Sequence, residues 1–415
     1  MIKFFVPIAL LGLLCSSFTR KHNMPEHAPV RTLQARNSLP HIFKKLRKGK
    51  PVTIAYLGGS ITEAPGYRVQ TEAYFKSRYP QAQITTVNAG VGGTGSPLGV
   101  FRLKQDVLDY KPDLVFVEFA VNDFNGDSLK ICNAIEGVIR QIRAADRTTD
   151  ICFLYTIFEP MVKEYRAMTM PSSVRYMERI ADYYKLPSIN LGHDVLAKLD
   201  AGKLVFAAEK NSDQGPKVIF TNDRTHPTTA GHSVYTGTII KAFQEMEKLP
   251  GRRMRLPASL YPDNLQHAFM LPPDSFERVG NWRPGSEKSE LRSYSTSFPQ
   301  LIWTDNVSDS LVIRFNGNRI GIGDVIGPSS NTVQMRIDGK LIFRSRFDEY
   351  CTYYRRSFFF IDSLKDGPHV LSLRLEKKSI DKLKLLRLGN PGDLSRYERN
   401  ELYIGNVMIA GKPTR

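Results

Sequence analysis

Ser60, Asp223 and His226 are the residues in this chain whose types and spacing fit acyl transfer. Ser60 sits in Gly58-Gly59-Ser60-Ile61-Thr62, and the other two in Asp223-Arg224-Thr225-His226-Pro227. A serine hydroxyl is a weak nucleophile until a base takes its proton. His226 is the candidate base. Asp223, three residues earlier, can bond the other ring nitrogen, fix the tautomer and stabilise the imidazolium as it forms. Pro227 biases His226 toward an extended backbone and stiffens the loop. The developing oxyanion needs preorganised donors. The backbone N–H of Ser60, the N–H of Gly93 and the side-chain amide of Asn122 are the candidates. Loss of one such donor typically costs about 3–4 kcal/mol of barrier. Glu63 and Arg68 lie just past the nucleophile. They could line the pocket and touch a sugar or a carboxylate, or only make a surface salt bridge.

A glycine-serine stretch alone implies only a turn. The surrounding elements give it more meaning. Val52 to Leu57 is an apolar run that reads as a buried strand ending at Ser60. Further strands are expected at Gln83–Val87, Asp113–Ala120, Ile151–Ile157 and Ser188–Leu191. Helical spacing covers Arg31–Arg47, Val69–Arg78, Leu98–Tyr110, Ser128–Ala145, Ser173–Tyr184 and Thr229–Met246, and His193-Asp194 is expected to start a short helix. Strands alternating with helices imply a parallel sheet covered on both faces. Open α/β sheets place their sites at the carboxyl edge of the strands. Ser60, the glycine turn around Gly93 and Asn122 all fall at that edge. Val205–Ala208 and Lys217–Phe220 are expected to pair as a small hairpin ahead of the His226 loop.

Four blocks in this order, Gly58 to Thr62, Asn88 to Gly93, Val121 to Asp123 and Asp223 to Pro227, resemble those of the SGNH (GDSL-like) hydrolases. The resemblance covers roughly Val52 to Met246. It implies a flavodoxin-like three-layer α/β/α fold and ester hydrolysis without a cofactor. By position, Ser60 matches the nucleophile, Gly93 and Asn122 the oxyanion donors, Asp223 the acid and His226 the base. Gly59 stands where the family has the aspartate of Gly-Asp-Ser. That aspartate is not the catalytic acid, so the departure bears on turn packing. Ala120-Val121 replaces a glycine-containing lead-in to Asn-Asp. Thr62 stands where the Gly-x-Ser-x-Gly elbow of other α/β-hydrolases needs its second glycine.

Other readings use fewer of these residues. Gly90-x-Gly92-x-x-Gly95 fits a dinucleotide fingerprint, with Glu118 near the place of a ribose-binding acid. That reading leaves Ser60, Asp223 and His226 without a role. His226 and His232 with Asp223 could hold a metal, but His232 is expected to pack or cap the last helix. No metal and no cofactor are expected.

At 415 residues the chain is long enough for two domains. Residues 1–17 read as a signal peptide, with Lys3 ahead of the apolar run Phe4–Leu14. Cys15 also raises lipid attachment, though Leu14 before it fits poorly. The expectation is export to the periplasm or the outside, with no integral membrane span. The net charge of +17 then points to anionic glycans or a membrane surface and not to nucleic acid, unless it serves only solubility. Lys44 to Lys50 is the densest basic run, expected at the solvated end of a helix. Cys132, Cys152 and Cys351 are expected to be buried free thiols.

Residues 28–249 are expected to form the SGNH domain, 250–273 a Pro- and Arg-rich linker, and 274–415 an antiparallel, jelly-roll-like β-sandwich. Strands are expected at Leu311–Phe315, Arg319–Gly323, Thr332–Ile337, Lys340–Phe343, Ser357–Ile361, Val370–Leu375 and Leu402–Ile409. Asp338-Gly339 marks a hairpin. Asp324 to Pro328 reads as an irregular loop that could reach the cleft. Trp282, Trp303, Tyr353 and Tyr354 could stack on sugars or pack in the core. The expected function is a serine esterase that removes O-acetyl or similar short acyl groups from an acetylated polysaccharide or oligosaccharide. The alternatives are an O-acetyltransferase with the same triad and a non-catalytic glycan-binding protein. Which glycan is used and the oligomeric state are not legible.

Overall fold

The computed structural model describes residues 31–208, 215–251, 255–387 and 392–413. The expected leader and Cys15 lie outside the described residues. The first domain is built from β1 (Leu33–Gln34), α1 (Pro40–Arg47), β2 (Val52–Gly58), α2 (Ser60–Glu63), α3 (Tyr67–Arg78), β3 (Ile84–Gly90), α4 (Ser96–Asp106), β4 (Leu114–Glu118) and α5 (Ser128–Ala145). It continues through β5 (Asp150–Tyr155), α6 (Glu159–Arg166), α7 (Ser172–Tyr184), β6 (Ser188–Asn190), α8 (Leu191–Asp200), β7 (Leu204–Ala207), β8 (Val218–Thr221) and α9 (Thr229–Glu247).

The main sheet has the order β1-β6-β5-β4-β2-β3. All neighbours are parallel except the short edge strand β1 on β6. Every residue of β4 and β5 is buried, as a sheet covered on both faces requires. The chain leaves β2 for β3 on one side and then crosses back to β4 on the other. The crevice at that reversal opens where β2 and β4 end, so it receives Ser60 and Asn122. This is the flavodoxin-like three-layer order expected from the sequence.

Helix ends are fixed by local side chains. Asp127 caps α5 by accepting the Lys130 N–H, and Thr228 caps α9 by accepting the Gly231 N–H. Asp150 accepts the N–H groups of His41 and Ile42 and so caps α1 from another element. The basic run forms the exposed end of α1.

Two expectations in this domain are corrected. Helical structure does not cover Arg31 to Arg47. Arg36 and Ser38 have positive φ, and the helix begins only at Pro40, whose ring suits a first turn. β7 and β8 pair in parallel, in register Leu204 with Val218, and are not a hairpin. Short apolar runs fit either direction.

The second domain contains β9 (Ala268–Leu271), β10 (Glu277–Val279), β11 (Arg283–Pro284), β12 (Ile302–Thr304), β13 (Ser310–Ile326), β14 (Thr332–Ile337), β15 (Lys340–Ser345), β16 (Arg355–Ile361), β17 (Gly367–Leu375), β18 (Leu402–Ile404) and β19 (Asn406–Pro413). An eight-stranded sheet carries the order β15-β14-β17-β13-β19-β9, with β10 and β16 also on β13. A second sheet, β11-β12-β18, packs over it. Ile302, Leu402 and Ile404 from that small sheet share one apolar cluster with Leu311, Ile313 and Leu373 of the large one. All pairs are antiparallel.

Here too the structure differs from the reading. The two strands expected at 311–315 and 319–323 are one 17-residue strand, because Gly317 and Arg319 absorb a bulge where a turn was expected. The strand expected at 402–409 breaks at Gly405, where the chain passes from the small sheet to the large one. The segment 250–273, expected as a linker, contains β9, an apolar tetrapeptide paired with β19. Asp324 to Ile326 are not a loop toward the cleft. They complete β13, and the buried Asp324 carboxylate takes two bonds from Arg346 at 2.6 and 2.8 Å.

The two domains share packing. Leu265, Ala268, Met408 and Ala410 belong to the apolar cluster that surrounds the parallel sheet. Phe101 of α4 meets Phe360 of β16 at 5.2 Å between ring centroids. Lys130 pairs with Asp362 at 2.7 Å, and Asp362 also holds Arg319 at 2.7 Å. Cys132, Cys152 and Cys351 are buried and free.

Candidate active site

Ser60 is the first residue of α2, so its own N–H has no intrahelical acceptor. Its Oγ lies 2.8 Å from Nε2 of His226. Nδ1 of His226 lies 2.6 Å from Oδ2 of Asp223. The other Asp223 oxygen accepts the backbone N–H of His226 at 2.7 Å and of Thr225 at 3.0 Å. Burial pushes the Asp223 carboxyl up. The His226 hydrogen bond and the two backbone donors outweigh it and hold the group at about 2. An ionised Asp223 keeps the proton on Nδ1, which leaves Nε2 free to accept from Ser60. The histidine loop is itself held. Arg224 pairs with Glu159 at the start of α6, and its carbonyl accepts the Glu159 N–H at 3.0 Å.

Asn122 lies in the turn after β4, beside the Ser60 turn. A Cβ placed on Gly59 would fall 1.9 Å from the Asn122 Oδ1. The backbone there approaches the amide too closely for any side chain at 59. Gly93 follows β3 at φ +72 in open space. A left-handed residue there turns the backbone with no side chain in the way. No acceptor among the described residues takes the Gly93 N–H or the Asn122 amide. The neighbouring Gly92 N–H, by contrast, donates to Glu63 Oε2 at 2.9 Å.

Glu63 lines a cavity of about 600 Å³ between the two domains. Gly92, Gly93, Arg102, Arg356 and Phe358 also face it. The second domain therefore lines that cavity, in part through β16. Arg68 is not among the lining residues, and its Nε turns to the Thr62 carbonyl at 3.4 Å.

Residues named in other readings have other surroundings. Glu118 is fully buried beneath the Ser60 turn. It accepts from Thr62 Oγ1 at 2.8 Å and Thr156 Oγ1 at 2.6 Å, out of reach of a ribose. Burial raises its pKa against those bonds. His232 is buried against Tyr67, and desolvation, helped by the nearby His226, lowers it to about 4. Trp303 is buried, with the Arg283 guanidinium 3.5 Å and the Lys288 ammonium 3.9 Å from its ring centroid. Tyr354 packs on Tyr403, and Trp282 donates to the Ser310 carbonyl. Tyr353 alone of the four is well exposed.

Sequence reasoning gave Asp123 and Arg356 no part in the site. Asp123 accepts the Ser96 N–H at 3.0 Å, and burial, with Glu118 nearby, pushes its carboxyl up to about 7. Its place beside Asn122 was the available signal. Arg356 had none, being nearly three hundred positions from Glu63.

No curated protein matches the chain in sequence. Two solved structures of a two-domain esterase (CEX) active on acetylated mannans share the architecture. One, co-crystallised with mannopentaose, is 20% identical with a TM-score of 0.72, covering 92% of this chain and 98% of that one. The other is 19% identical with a TM-score of 0.71, covering 92% and 100%. Residues 56–234 match the GDSL-like lipase/acylhydrolase family, a span that runs from the end of β2 into α9. Over those residues the first domain, with its flavodoxin-like sheet and strand-end blocks, matches that acylhydrolase family.

Proposed function

We propose that the chain is a serine esterase that removes O-acetyl or similar short acyl groups from a polysaccharide through an acyl-enzyme on Ser60. The observation that carries this is the continuous chain of hydrogen bonds from Ser60 through His226 to Asp223. His226 Nε2 takes the Ser60 proton as Oγ attacks the ester carbonyl. The oxyanion is received by the N–H groups of Ser60 and Gly93 and the Asn122 amide. His226 then returns the proton to the departing sugar oxygen, and acetyl-Ser60 remains. Water, deprotonated by His226, attacks the acyl carbon, the bond to Ser60 Oγ breaks, and His226 returns the proton to Oγ as the acetyl group leaves as acetic acid. The His226 and Asp223 side chains are 49% and 54% exposed, so water has a direct path to the base. This favours hydrolysis over transfer to a second hydroxyl.

A polysaccharide substrate is supported by the cavity beside the Gly92-Gly93 turn, which is large enough for a sugar ring, and by the architecture shared with an esterase active on acetylated mannans. Export through the leader at 1–17 fits such a substrate, and no helix among the described residues is long and apolar enough to cross a membrane. The test is acetate release from acetylated mannan, xylan and pectin by the intact protein and by Ser60→Ala. Release that vanishes with Ser60 is expected. Ser60-dependent cleavage of an aryl acetate alone would retain the triad and discard the polysaccharide. Release that survives Ser60→Ala would overturn the mechanism.

A further inference from the structure

We propose that Glu63 is a positioning residue. Its carboxylate fixes the glycine turn that presents the Gly93 N–H, and Arg356 of the second domain holds that carboxylate in place. The inference rests on the esterase reading above.

The turn needs an external hold. Two adjacent glycines have the greatest backbone freedom of any pair. Nothing lies within 4 Å of the Cβ position at Gly93, so no packing fixes it. Upstream, the Val91 N–H is held by the Gly58 carbonyl at 3.0 Å, and the Val91 carbonyl accepts from Thr94 Oγ1 at 2.7 Å. At Gly92 itself the hold is the 2.9 Å bond to Glu63 Oε2. That bond anchors one end of the peptide that carries the Gly93 N–H. Glu63 closes the short helix that Ser60 opens. One side chain thus spans the nucleophile turn and the oxyanion turn and joins them beyond the Val91 to Gly58 bond.

Glu63 Oε1 lies 3.7 Å from an Arg356 guanidinium nitrogen. Arg356 also donates to Ser297 Oγ at 3.0 Å. It sits on β16, the strand whose Phe360 packs on Phe101 of the first domain, so its backbone is well fixed. A half-exposed ion pair of this kind adds little to stability. Its effect is expected on geometry and on charge. An uncompensated carboxylate near the growing oxyanion would oppose it, and Arg356 offsets that field.

A substrate-contact role for Glu63 makes a different forecast, so the two separate cleanly. The test uses the full chain and a 4-nitrophenyl alkylphosphonate. Ser60 Oγ attacks phosphorus, 4-nitrophenolate leaves, and His226 takes the proton. The phosphonyl oxygen occupies the oxyanion position, so the labelling rate reads the donors. Glu63→Ala is expected to label roughly 10- to 100-fold more slowly, a partial loss of one donor. Its KM for 4-nitrophenyl acetate should stay within about twofold, because ground-state binding is untouched. Glu63→Gln keeps an oxygen for Gly92 and should label within about threefold of wild type. Arg356→Ala should slow labelling several-fold, and should add nothing in the Glu63→Gln background. Labelling of Glu63→Ala at the wild-type rate, a rise in KM with kcat intact, or Glu63→Gln as slow as Glu63→Ala would each overturn the proposal. Arg356→Ala at the wild-type rate would remove the second domain from it. A wild-type protein not labelled at Ser60 would instead overturn the esterase reading, and this inference with it.

Discussion

Replacing Gly59 by alanine should disable the oxyanion site while leaving the fold intact. The backbone at 59 has φ −92, which alanine adopts without strain. The added Cβ, however, would stand 1.9 Å from Asn122 Oδ1 and 2.7 Å from its Cγ. Contacts under 3.0 Å do not persist, so the amide must retreat by about 1 Å. The moving group is the end of a half-buried side chain outside the apolar core, so little stability is lost. The donor it carries is displaced by a distance that typically costs about 100-fold in rate. Loss of a whole oxyanion donor costs roughly 100- to 1,000-fold, about 2.7–4 kcal/mol. We therefore expect Gly59→Ala to lower kcat for 4-nitrophenyl acetate by about that much, with KM and melting temperature close to wild type. Asn122→Ala should lose a similar amount, and the double variant should be no worse than the poorer single one, since both remove the same donor. Wild-type kcat in Gly59→Ala would refute the reasoning. So would a double variant whose loss is the product of the two singles.

Asp223→Asn should retain the fold and lower kcat by roughly 10,000-fold, because an amide favours the wrong imidazole tautomer; steady-state kinetics at neutral pH would decide, and a loss under tenfold would count against Asp223 as the orienting group. Asp123→Asn should change the pH dependence of stability. The Asp123 carboxyl is held at about 7, above its unfolded value, so the folded state stays protonated while the unfolded state ionises. Wild-type stability then falls as pH rises from about 4 to 7 and is level beyond. Asparagine keeps an oxygen for the Ser96 N–H and carries no charge. The unfolding free energy of Asp123→Asn relative to wild type, followed by denaturant melts, should rise between pH 4 and pH 8, by at most roughly 4 kcal/mol. A constant difference across that range would contradict the assignment.

The edge that carries the candidate site was legible because it is written locally. Each of its turns follows an apolar run, and the glycines, Asn122 and Asp223-x-x-His226 lie next to the strand ends that position them. Ser128–Ala145 matches α5 end to end because Asp127 supplies its cap within the same stretch. What escaped depends on chain direction or on distant partners. Nothing in the runs 205–208 and 217–220 distinguishes a parallel pair from a hairpin. Asn316-Gly317-Asn318 has the composition of a turn, yet β17 and β16 on either side hold it in one bulged strand. β9 is hidden in a proline-rich stretch, because its partner β19 lies at the far end of the chain. α6 did leave a signal, Pro160 at its start, which suits a first helical turn. The second tie of Glu63, to Arg356, joins residues on different domains and has no local signature.

The apolar cluster that begins at Leu39 is completed by Met408 and Ala410, close to the last described residues. A chain made from its amino end exposes that part of the first domain until Ala410 has left the ribosome. During that interval the side of α4 that β9 and β19 later cover remains wet. The first domain is thus finished at a place far in sequence from Ser60 and His226. Termination before Met408 would leave an adhesive surface and not a smaller working enzyme, which makes the second domain a checkpoint on the quality of the first.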